Sequence, residues 1–137
     1  MPANQAPIFS AVGKIGFAVV SISNGTRDLS TGTIYLLFTA HATNGSRVEK
    51  LVIQPRGTGA ATVFRLFINN GGTPTDAANN ILYKEFSIPA TTASETAALS
   101  TIEIPLDLVL PPGYRLYATI GTAVAAGLGV TVVGGDY

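Results

Sequence analysis

The sequence predicts an all-β protein. Three observations predict it. Apolar and polar residues alternate with period two in run after run, turn residues punctuate the intervals, and the runs recur at fairly even spacing. Eight strands so spaced fit a sandwich or a barrel, and an antiparallel β-sandwich of jelly-roll-like form is the expectation. The 137 residues suffice for about one domain.

The elements follow in order. The opening residues hold Pro2 and Pro7, then Ile8, Phe9 and Val12, and read as an extended arm over 1–13 ahead of a single domain over 14–137. Arms of this kind are either disordered or ordered by a neighbour. The first strand is expected near 14–21. In the second, 33–40, Ile34, Leu36, Phe38 and Ala40 share one parity and Thr33, Tyr35, Leu37 and Thr39 the other. A third, 47–54, runs through the Pro55–Gly59 connection, read as a hairpin, into a fourth over 62–69. There Phe64, Leu66 and Ile68 alternate with Val63, Arg65 and Phe67. A fifth is expected over 81–88.

Residues 91–99 are Ala-rich but short and without an apolar face, so they read as a polar loop. The sixth strand, 101–108, sets Ile102, Ile104, Leu106 and Leu108 against Thr101, Glu103, Pro105 and Asp107. Pro111-Pro112-Gly113 stops it, and strands over 114–120 and 128–134 complete the set. Asn24-Gly25, Asn44-Gly45 and Asn70-Gly71-Gly72 are turns in which glycine takes positive φ at low cost.

Two strands carry apolar groups on both faces. Tyr35 and Leu37 lie opposite the Ile34 face, and Val63 and Phe67 lie opposite the Phe64 face. Either loops cover these residues or another subunit does.

Composition excludes several functions. The chain is 47% hydrophobic and 12% charged, against roughly 25% charged in an average domain, which excludes disorder. Eight basic residues balance eight acidic ones. That leaves no electrostatic footprint for nucleic acid or an anionic membrane, and the weak repulsion favours association. With no cysteine, disulfides, thiolate-bound zinc, iron–sulfur clusters and thiol catalysis are excluded. Leu116 to Gly135 is uncharged and long enough to span a bilayer. Its Gly, Thr and Ala content fits two strands and a loop better. The N-terminus shows no basic segment followed by an apolar one, so no signal peptide is expected.

The residues also lack a catalytic constellation. His41 is the single histidine, it sits before an Asn-Gly turn, and no Gly-x-Ser-x-Gly elbow accompanies it. Glu103 and Asp107 share a face, but their Cβ atoms stand about 13 Å apart at ~3.3 Å per residue. That is too far for one ion or a retaining glycosidase pair. Gly57-Thr58-Gly59 lacks the Lys-Ser/Thr of a phosphate loop and precedes a strand. Five arginines lie on five separate segments without interleaved aromatics. No cofactor and no metal is expected.

The most specific stretch is Leu108-Val109-Leu110-Pro111-Pro112-Gly113-Tyr114-Arg115-Leu116, with the close Val133-Gly134-Gly135-Asp136-Tyr137. With the Arg47–Ile53 and Val63–Ile68 strands upstream, this layout resembles small β-sandwich virion proteins of tailed bacteriophages, most like capsid decoration (cement) proteins. The resemblance implies a non-enzymatic structural protein, made in the bacterial host cytoplasm and located on the capsid surface of the virion. It implies the major capsid protein as partner and self-association as a trimer or dimer. Candidate capsid or subunit contacts are Pro7, Ile8, Phe9 and Val12 of the arm, with Tyr35, Leu37, Val63 and Phe67. The alternative is a tail, neck or fibre module that binds a host receptor or carbohydrate through Tyr83, Tyr114, Tyr117 or Tyr137.

Overall fold

A computed structural model describes residues 11–137. The strands are β1 (Val12–Val20), β2 (Tyr35–Thr39), β3 (Ser46–Pro55), β4 (Thr62–Asn69), β5 (Asn80–Ile88), β6 (Ile102–Leu110), β7 (Arg115–Ile120) and β8 (Leu128–Asp136). They form two four-stranded sheets, ordered β1-β8-β3-β6 and β2-β7-β4-β5. Every neighbouring pair is antiparallel. Only β4 and β5 are both consecutive in the chain and adjacent in a sheet; the other consecutive strands are not paired with each other. This is a jelly-roll sandwich, and the predicted fold class is borne out.

The inner faces meet as the alternation requires. Leu51, Ile53, Phe64, Leu66, Leu116, Ile120, Val130 and Val132 are fully buried between the sheets. Apolar burial of this kind is the dominant stabilising term.

Several expectations change. The Pro55–Gly59 connection is a crossover from the first sheet to the second, because β3 and β4 lie in different sheets. Gly45, Gly71 and Gly113 take positive φ, whereas Gly25 does not. Asn24 instead organises the β1–β2 loop with its side chain. Its Nδ2 donates to the carbonyls of Thr31 and Thr33 at 2.8 and 3.0 Å, and its Oδ1 accepts from the Thr26 amide and hydroxyl at 3.0 and 2.8 Å. β1 begins at Val12, so Val12 and Gly13 belong to the sandwich and not to the arm. Residues 91–99 contain no helix, and Thr91 makes one bridge to Gly59.

The loop between β1 and β2 covers the outer face of the second sheet. Leu29, at φ +62°, drives its side chain onto Phe67 and Tyr117, and these three are buried with Ile34 and Leu82 packed around them. Among the described residues nothing similar covers the β1 end of the first sheet's outer face, where Ile15 and Phe17 are exposed.

Candidate assembly surface

β1 sets the small Gly16 and Ala18 inward between the outward Ile15, Phe17 and Val19. Gly16, Ala18 and Val20 face the core, while Ile15, Phe17 and Val19 are 63%, 76% and 43% exposed. The reason is the close approach of β2. A Cβ on Gly16 would sit 1.9 Å from the Leu37 carbonyl oxygen, so only glycine lets the two backbones pack at this point.

Lys14 shares the inward face. Its Nζ donates to the Thr39 carbonyl, lies 3.4 Å from Asp136 Oδ1 and stands 5.1 Å above the centroid of the Phe38 ring. Asp136 also accepts from the buried Ser46 hydroxyl. Burial alone would raise the Asp136 carboxyl, but the Ser46 hydroxyl and the Lys14 ammonium hold it below its ordinary value.

The rest of this outer face grades from apolar to ionic. Register places Val133 beside Ile15, and Thr131 beside Phe17 with Val52 beyond it. Toward β6 the charges close on one another within the subunit. Lys50 meets Glu103 at 3.5 Å and Arg47 meets Asp107 at 3.1 Å.

The predicted contact residues divide. Val12 is 61% exposed at the start of β1. Val63 and Tyr35 are half-buried. The Tyr35 hydroxyl accepts from the amides of Ser21 and Ile22, and its ring packs on the core. Leu37 and Phe67 are 2% and 0% exposed, so neither offers a side chain to a neighbour. A register shift between Leu36 and Phe38 turns Leu37 inward, and Leu29 covers Phe67. Pro7, Ile8 and Phe9 lie outside the described residues. The row Ile15–Phe17–Val19 was not among the predicted contacts. Its signal was the glycine and alanine at 16 and 18, which mark the side where backbones approach.

The catalytic candidates are occupied structurally. His41 Nδ1 accepts from the amides of Thr43 and Asn44 at 3.2 and 3.1 Å. Its backbone amide, not its ring, meets Ser46 Oγ at 2.8 Å. Ser46, His41 and Asp136 therefore cluster without the base-to-hydroxyl contact of a triad. Glu103 and Asp107 point outward into separate ion pairs. Arg65 is buried against Glu85 at 2.8 Å. Among the described residues no group of three or more His, Cys, Asp or Glu could hold a metal ion. No helix there is long and apolar enough to cross a membrane. Of the tyrosines considered for sugar stacking, Tyr117 is buried, and Tyr83 is 38% exposed on β5.

No family model matches the chain, and no curated protein matches it. Solved structures similar to it include the infectious bursal disease virus Gx strain, at 15% identity and a TM-score of 0.36 over 98% of this chain and 38% of that one. Another is the T=1 particle derived from infectious bursal virus, at 16% identity and 0.35 over 98% and 36%. The chain thus spans little more than a third of the length of those chains. At these scores the likeness assigns no role. What stands on the geometry itself is a jelly-roll sandwich of low charge whose edge strand β1, among the described residues, exposes an apolar row.

Proposed function

We propose that the chain is a non-enzymatic virion structural protein, a capsid decoration (cement) protein that binds the outer surface of a phage head and stabilises it. The observation that carries the reading is the exposed Ile15–Phe17–Val19 row on a sandwich with no net charge. Such a surface suits assembly, where apolar burial and strand edges provide docking. The partners are the major capsid protein and further copies of this chain. Pro7, Ile8 and Phe9 would add apolar anchors from the arm. Many identical weak contacts on a repeating lattice sum to tight attachment.

The test adds purified protein to heads that lack it. Decoration gives saturable binding at a fixed ratio to the shell protein and raises the temperature at which heads rupture. Deletion of residues 2–10 weakens that binding and leaves the sandwich folded. Absence of head binding, with glycan or host-cell binding in its place, would overturn decoration in favour of a tail, neck or fibre module.

A further inference from the structure

We propose that β1 pairs edge to edge with β1 of a second copy, antiparallel about a two-fold axis, so that the two first sheets become continuous. The proposal concerns self-association alone and stands apart from where on a virion the chain sits.

Among the described residues four strands end the two sheets, namely β1, β6, β2 and β5. An exposed edge is a template for another strand, and folded proteins blunt it with proline, charge, a bulge or shortness. β6 carries Pro105, outward Glu103 and Asp107, and a positive φ of 45° at Asp107. β5 carries a register shift opposite Leu66 and Phe67, together with Lys84 and Glu85. β2 is five residues long and also shifted. Among the described residues β1 has none of these devices. It runs nine residues in unbroken register with β8, and its outward residues are uncharged. β2 packs beneath the inward face of β1 and belongs to the other sheet, so it does not pair along this edge.

The charges identify the occupant as a second copy. A strand that pairs with itself must not set like charges opposite one another. The one charge on β1, Lys14, is turned inward and tied to Thr39 and Asp136. A two-fold axis near Gly16 would set Ile15 against the partner's Phe17, an aromatic and β-branched pair of the kind that stabilises sheets. No unmatched charge on β1 calls for an acidic or basic peptide instead. Arg47 and Lys50 on β3 are already paired with Asp107 and Glu103 on β6 within the subunit.

Sedimentation equilibrium on the purified chain tests this. The expected mass is twice 14.1 kDa. Phe17→Glu should weaken dimerisation by at least about tenfold, since a carboxylate then enters the apolar row from each copy. Val109→Glu, at a 56% exposed site on β6, should leave it unchanged. Because the chain has no cysteine, spin-labelled Phe17→Cys provides a second readout at a single position. It should give one short intermolecular distance, and labelled Val109→Cys should not. A monomeric or trimeric wild-type chain, a Phe17→Glu dimer of unchanged affinity, or no short distance at position 17 would each overturn the proposal. A dimer that does not bind heads would leave it standing and remove only the decoration role.

Discussion

Replacing Gly16 by alanine is the sharpest perturbation of β1. The added Cβ would stand 1.9 Å from the Leu37 carbonyl oxygen and 3.0 Å from its carbon. Both are backbone atoms, so the clash cannot be relieved by rotating a side chain. Overpacking of this kind costs about 1–3 kcal/mol. Against it, the change stiffens the unfolded chain and returns ~0.4–1 kcal/mol. The net expectation is a loss of about 1–2 kcal/mol, or a melting temperature lower by roughly 3–10 °C. Gly13→Ala is the control on the same strand, because nothing lies within 4 Å of a Cβ there. It should be neutral or slightly stabilising. Urea unfolding of both variants at constant m-value reads the difference. If Gly16→Ala is as stable as Gly13→Ala, the small face of β1 does not pack on β2, and the outward placement of Ile15, Phe17 and Val19 loses its cause.

Other outcomes follow from the same contacts. Leu29→Ala empties a fully buried site over Phe67 and Tyr117 and should cost about 2–4 kcal/mol in urea unfolding, with faster amide exchange in residues 21–34 than in β4. Lys14→Met removes the cation beside Asp136 and should cost about 1–3 kcal/mol at neutral pH, since a part-buried carboxylate loses a charged partner. The lowered Asp136 carboxyl stabilises the fold above its unfolded value of ~3.9. That contribution is lost as pH falls through the folded value, so Asp136→Asn should flatten the acid limb of a stability–pH profile. An unchanged acid limb would contradict the hydrogen bonding described for that carboxyl.

The fold was legible because alternation and punctuation agree along the whole chain. β4 occupies the expected span 62–69, and the other strands differ from expectation by a few residues at their ends. What alternation could not report was where it breaks. At Leu37 a register shift inverts parity, so a residue expected outside lies in the core. At Phe67 the outward parity is right, but a loop remote in sequence delivers Leu29 to cover it. At β1 Ile15 and Phe17 face out, contrary to the usual reading of an apolar row, because β2 approaches too closely for a side chain at Gly16 between them. The failures at Leu37 and Phe67 come from a strand-pairing shift and a remote loop that no local pattern encodes. The β1 surface did leave a local trace, the small residues Gly16 and Ala18 between Ile15, Phe17 and Val19.

The most direct test of an assembly role is the copy number of this chain in purified particles, measured by quantitative mass spectrometry against the major shell protein. Decoration requires a ratio near a simple fraction of the shell subunits, with hundreds of copies on each head. A few copies per particle, or none, would contradict it.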